Sequence, residues 1–219
     1  DPIYLGKLSL CDVERFAALA GVRGLFPSLS NDFLRHIFDS RAQTALLVKG
    51  PHYEDLSDKT LSFKQLEAAI LAHCHISFDY QKDQGTKTYA NAQPYKLVNH
   101  DGNWYLAAKD GDTLKAYTFS KIDRLQVHQT AFTPDLAVQK TLTEEDGIWL
   151  NPNKKEIVLK INREAASYFR RRKLIANQVI EKELEDGGLI VSGKVAHPNQ
   201  ILPIVRYWIP NIRIISPEG

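Results

Sequence analysis

The chain has no methionine, only two cysteines and no long apolar run, and its charges nearly cancel. Each absence removes a class of protein. A membrane-crossing helix needs about 20 consecutive apolar residues, and none is present. No signal peptide opens the chain. Cys11 and Cys74 stand apart from any metal or redox spacing, so the simplest expectation is a reduced, cytoplasmic protein rather than a disulfide framework. With 28 basic against 26 acidic residues the net charge is +2. No global field therefore draws the chain to nucleic acid or anionic lipid, and any anion site must come from local arrangement. There is no nucleophile elbow, Walker loop, dinucleotide fingerprint or zinc-hydrolase motif. No catalytic residue is nominated, no cofactor is expected, and an enzyme is the least favoured reading. A natural chain opens on an initiator methionine, so "DPIYLGKLSL" reads as the start of a processed or trimmed product, with something upstream.

What is present is an ordinary globular composition: 219 residues, 43% hydrophobic and 25% charged, enough apolar material for real cores. The expected class is α+β in four parts. Residues 1–74 read as helical. Val13, Phe16, Leu19 and Ala20 recur at helical spacing behind Ser9 as N-cap. Phe33, Leu34, Ile37 and Phe38 repeat the pattern, as do Leu66, Ala69, Ile70 and His73. A short strand and a loop are expected between the second and third helices. From His75 the period changes to two. Ile76, Phe78 and Tyr80 alternate with polar residues, and Asp101-Gly102 and Gly111-Asp112 mark tight turns. About five short strands over residues 75–132 predict a small curled sheet or barrel, closed to hide its edges. Residues 133–150 read as a polar connector with a helical turn near Asp135. Residues 151–219 follow the order strand, helix, strand, strand, helix, strand, which is ferredoxin-like. Within it Asn162 is the expected N-cap, Gly187-Gly188 a hairpin turn, and Pro198 a first-turn proline.

Residues 99–127, "NHDGNWYLAAKDGDTLKAYTFSKIDRLQV", pose the functional question. Tyr80, then Pro94 to Val98, then Gly102 to Leu106, then the basic-aromatic run Lys115 to Ile122 together resemble the WYL domain, whose triplet is here Trp104, Tyr105 and Leu106. The tail from Lys155, with Arg206-Tyr207-Trp208 and "IRIISP", resembles the WCX extension of that family. The resemblance implies an Sm-like β-barrel that senses a ligand, in a dimeric bacterial transcriptional regulator. Its winged helix-turn-helix reads operator DNA and is missing from these 219 residues. Phage-defence regulators share this architecture. Where the family carries two arginines, this chain has Lys115 and Lys121; an ammonium is a point charge, not a planar fork.

The candidate ligand-binding residues are Tyr80, Tyr89, Tyr105, Lys115, Tyr117 and Lys121. Alternation places Lys115, Tyr117 and Phe119 on one strand face. Lysine beside aromatic rings suits an anionic ligand, a nucleotide or short single-stranded nucleic acid, because one holds phosphate while the other stacks on a base. The same residues also suit plain cross-strand packing and edge protection. Trp104 and Leu106 read as core. A protein-interaction and dimerisation module with a vestigial pocket is the competing reading. The basic run Phe169 to Lys173 is either a phosphate contact, a dimer clamp or a solvated helix end matched to the dipole. His73 and His75 fall short of the four ligands zinc wants, so no metal is expected. The carboxylates from Glu144 to Asp146 read as a solvated turn.

Overall fold

A computed structural model describes residues 9–22, 25, 50, 52–144, 147–150 and 153–217. The chain divides into two compact units, Asp1–Gly50 and Pro51–Gly219. In the first, α1 (Leu10–Leu19) starts where the sequence places it. Ser9 Oγ accepts the Asp12 N–H and the Asp12 carboxylate accepts the Ser9 N–H, a reciprocal capping box. Ala17 is buried, whereas Phe16 and Leu19 of the anticipated apolar stripe are 68% and 81% exposed. The second anticipated helix and the short strand after it lie outside the described residues.

The second unit opens with a segment over residues 52–56 and then α2 (Thr60–Leu71). This helix belongs to the sheet that follows it: Leu66 and Ala69 are buried in that sheet's core. The sheet comprises β1 (Cys74–Lys82), β2 (Gly85–His100), β3 (Asn103–Asp110), β4 (Thr113–Thr118) and β5 (Ile122–Ala131), in the order β4-β3-β2-β1-β5. All pairs are antiparallel. β2 is 16 residues long and changes partner midway, its first half pairing with β1 and its second with β3. Buried Pro94 sits at that change, where the register shifts. Proline has no N–H to give a ladder, so a strand accepts it at such an irregularity.

The anticipated barrel does not close. β4 and β5 stand at opposite edges of the sheet, joined by the 3-10 turn Phe119–Lys121. The run from Lys115 to Ile122, read from sequence as one strand, is therefore a corner. Its cause is Phe119, whose ring is fully buried and meets Phe63 edge-on at 5.5 Å. Alternation holds for Lys115 and Tyr117 and ends at Thr118.

The connector is more regular than anticipated. α3 (Leu136–Glu144) replaces a single turn. Asp135 accepts the Ala137 N–H at 2.9 Å, which caps the helix start, and Val138 packs with Tyr95 and Phe132. The described part of the expected carboxylate turn, Glu144, is the last residue of this helix; the other two lie outside the described residues.

The last part has the anticipated order: β6 (Lys155–Ile161), α4 (Arg163–Arg171), β7 (Val179–Glu183), β8 (Leu189–Val195), α5 (Leu202–Trp208) and β9 (Ile212–Ser216). These strands form a second antiparallel sheet, ordered β7-β8-β6-β9. Leu159, Ile161, Phe169, Leu189 and Val191 make its core. Asn162 occupies the N-cap position of α4, yet its side chain makes no capping bond. Pro198 opens a 3-10 turn just ahead of α5 rather than α5 itself.

Candidate functional site

The six sequence-nominated residues do not share one hollow. Tyr89 and Tyr117 are core: 5% and 2% exposed, with ring centroids 4.9 Å apart. Phe78 stacks on Tyr89 at 5.1 Å and Tyr80 meets Tyr117 edge-on at 5.3 Å. Tyr80 Oη accepts the Thr118 N–H at 3.2 Å, tying β1 to the end of β4. The Tyr117 hydroxyl is buried without a hydrogen-bond partner among the described residues. Burial, and then the neighbouring Tyr89, push its pKa far above the usual phenol value. These rings are packing, as aromatic pairs on a sheet generally are.

The two lysines serve different turns. Lys115 Nζ donates to Asp110 at 2.8 Å across the β3–β4 hairpin and lies 5.6 Å from the Tyr89 ring centre. That hairpin turns at Gly111, whose φ of 58° favours glycine. Lys121 sits in the 3-10 turn, half-exposed, 3.9 Å from Asp83 in the β1–β2 turn. Lys87, which sequence reasoning did not single out, lies closer to Tyr89 than Lys115 does, at 4.7 Å.

Tyr105 and Lys115 nonetheless meet at a cavity. It measures about 500 Å³ and is lined by Tyr105, Lys115 and Thr118 from β3 and β4, by Trp149 from the connector and by His197 ahead of α5. That volume lies within the usual range for small-molecule sites, roughly 300–1,000 Å³. Parity explains Tyr105 and Thr118 but not Lys115, which has the parity of Tyr117 and sends its amine to Asp110 and toward the Tyr89 ring. Tyr105 pairs with Thr118, so both face away from Leu106 and Tyr117, which pair in the core. Burial raises the Tyr105 pKa first, and the Asp101 and Glu54 carboxylates then add to it. The phenol therefore keeps its proton at neutral pH and can donate a hydrogen bond.

Two of the other lining residues form an aromatic pair. Trp149 and the His197 ring stack at 5.2 Å and 8° between planes. His197 Nδ1 accepts the Asn199 N–H at 3.1 Å as the cap of the 3-10 turn. A ring nitrogen that accepts is unprotonated, so the neutral imidazole carries its proton on Nε2. Gln200 steadies this corner by accepting the Ala196 N–H at 2.6 Å and the His197 N–H at 3.1 Å. Trp149 also lines a second cavity of about 520 Å³, whose walls include His100, Lys173, Ile175 and Gln200. Sequence reasoning missed Trp149 and His197. The signal available was a large aromatic residue in an otherwise polar connector.

Trp104 is partly buried against the core and Leu106 is fully buried, as anticipated. Gly102 turns β2 into β3 at φ 82°, and its carbonyl accepts the Glu54 N–H at 3.1 Å. A Cβ at Gly102 would run into the His52 carbonyl, so this turn holds the 52–56 segment beside the sheet. His73 and His75 pack edge-on against Phe132. Among the described residues, no group of three or more His, Cys, Asp or Glu is placed to hold a metal ion, and no helix is long and apolar enough to cross a membrane.

Comparison with known families matches the WYL domain at residues 62–127 and the WCX domain at residues 153–219. The first match begins inside α2, consistent with that helix sharing the sheet's core. No curated protein matches the chain. Among solved structures, proteasome accessory factor B/C (PafBC) of Arthrobacter aurescens is similar at 16% identity and a TM-score of 0.36, over 76% of this chain. That likeness is too weak to inform fold or function, and the chain spans about a quarter (26%) of the PafBC chain.

Proposed function

Because this chain belongs to the WYL-domain family, with a WCX domain following, we propose that it is the ligand-sensing and dimerisation portion of a bacterial transcriptional regulator. It does no chemistry of its own. Its ligand is an anion with a flat ring, a nucleotide or a short single-stranded nucleic acid. Operator DNA is read, as the family resemblance implies, through a winged helix-turn-helix. The Sm-like and ferredoxin-like assignments of the two sheets belong to this same reading.

One observation carries it: a cavity lined by Lys115, Tyr105 and the stacked Trp149–His197 pair. The ammonium takes a phosphate, and the aromatic wall takes a base. The nominated set is accordingly revised. Lys115 and Tyr105 contact ligand; Tyr80, Tyr89 and Tyr117 shape the sheet beneath; Lys121 lies outside the contact set. The cavity has walls from both domains and from the connector. A ligand there favours one arrangement of them over others, the condition for changing DNA affinity at a distance.

The experiment is titration of the chain with nucleoside phosphates and short oligonucleotides at two salt concentrations, read by tryptophan fluorescence. Binding that weakens with salt, quenches Trp149 and falls in Lys115→Ala supports the reading. Saturable binding that both Lys115→Ala and Trp149→Phe leave intact places the ligand elsewhere. A second reading, an interaction module with a vestigial pocket, is favoured by one fact: Lys115 is already paired with Asp110. It predicts a stable dimer by sedimentation and no ligand binding.

A further inference from the structure

The helical face of the C-terminal sheet carries chemistry that the cavity does not use. α4 ends in Arg170 and Arg171, with Arg172 and Lys173 just beyond, and α5 presents Arg206 and Tyr207. Between the two helices runs an open groove of about 360 Å³, lined by Tyr168, Arg172, Leu174, Ile204, Tyr207 and Trp208. Its floor is aromatic. Tyr168 and Trp208 lie 4.7 Å apart, and Tyr207 meets Trp208 edge-on at 5.2 Å. The Arg171 guanidinium sits 4.9 Å from the Tyr168 ring centre.

Two features exceed what a solvated helix end requires. Cations at a helix C-terminus offset its dipole, and Arg170 is also matched by Glu183 at 3.1 Å. Neither account covers Tyr207, a large ring left 79% exposed beside the groove. Nor does it cover Arg172 and Arg206, which make no ion pair among the described residues. No carboxylate lines the groove, and Glu164 is the single acidic residue of α4. The surface is thus positive and aromatic.

We propose that this groove binds single-stranded nucleic acid, with phosphates on Arg171, Arg172 and Arg206 and a base stacked on Tyr207. Guanidinium forks match phosphate oxygens two at a time, and a free ring face stacks any base. An acidic peptide would use the cations but leave the Tyr207 face idle, so the ring favours nucleic acid. The site is separate from the Lys115 cavity and does not depend on it.

The test uses the full chain and a fluorescein-labelled oligothymidine of about twelve nucleotides, a length typical of single-strand sites. Anisotropy is followed across a salt series, with circular dichroism on every variant. The expected result is salt-weakened binding that falls about tenfold or more in Arg172→Gln and in Tyr207→Ala. Tyr207→Phe keeps the ring and retains affinity. Photocrosslinking places the oligonucleotide on the peptide containing Tyr207. Three results overturn the proposal: binding unaffected by Arg172→Gln and Tyr207→Ala, binding abolished by Lys115→Ala alone, or a polyglutamate peptide competing as well as the oligonucleotide does. Because Arg172 and Tyr207 are both exposed, neither substitution removes buried structure, so a loss reports on the surface. Failure of this groove leaves the cavity reading standing, and the reverse also holds.

Discussion

The sharpest prediction concerns the charge balance at Lys115. Its ammonium is held by Asp110 at 2.8 Å, with both side chains 36% exposed. A pair so hydrated contributes only about 0–1 kcal/mol to stability, so either partner can be changed without unfolding the hairpin. Ligand binding responds with opposite signs. Lys115→Ala removes a charge-assisted hydrogen bond worth about 1.5–3 kcal/mol, so nucleotide affinity falls about 10- to 150-fold. Asp110→Asn removes a carboxylate that would stand about 5 Å from a phosphate on the same amine. In a hydrated site that repulsion is about 1 kcal/mol, so affinity rises about fivefold. The assay is a calorimetric titration of parent and both variants with one nucleoside triphosphate at low and high salt, where the Asp110→Asn gain shrinks as screening increases. If Asp110→Asn weakens binding, Asp110 aims Lys115 instead of competing with the ligand, and the reasoning fails. If both variants bind like the parent, no phosphate rests on Lys115.

Three further outcomes follow from the packing. Tyr117→Phe deletes a buried hydroxyl with no partner among the described residues; it stabilises by about 0.5–1.5 kcal/mol, read as a higher thermal midpoint, and a clear destabilisation would reveal a hidden partner. Gly102→Ala forces a side chain onto a φ of 82° and into the His52 carbonyl; it costs about 1–3 kcal/mol and exposes the 52–56 segment to proteolysis, and a neutral effect would mean the segment does not rest on this turn. The Asp79 carboxylate accepts from Thr88 at 2.6 Å and pairs with Arg124, and these bonds hold its pKa below the usual 3.8. A lowered folded pKa stabilises above 3.8 and is lost as pH falls through the lowered value, so Asp79→Asn flattens the acid limb of a stability–pH curve; an unchanged limb would assign acid unfolding to other carboxylates.

Much of the architecture is legible without coordinates because its cues are local. Period-two alternation marks β1, Asp-Gly and Gly-Asp pairs mark the β2–β3 and β3–β4 hairpins, and Ser9 with Asp12 marks a helix start. Trp104 and Leu106 read as core by parity and are so. The site was less legible. Tyr89 and Tyr117 carry the same residue type as Tyr105, and alternation alone does not say which face of a bent sheet is inside. Phe119 broke the expected strand because its ring is drawn into a core built partly by Phe63, more than fifty residues earlier.

By itself the sequence determined the order of elements, the turns, the residue types able to hold an anion, and the family. Each of these depends on neighbours within a few positions or on a motif read in line. Only the tertiary structure decided that the first sheet stays open, that three of the tyrosines are packing, and that Trp149 and His197 line the same cavity as Tyr105 and Lys115. The reason is physical: apolar burial has no direction along the chain, so which distant side chains come to face one another is set by how whole elements pack.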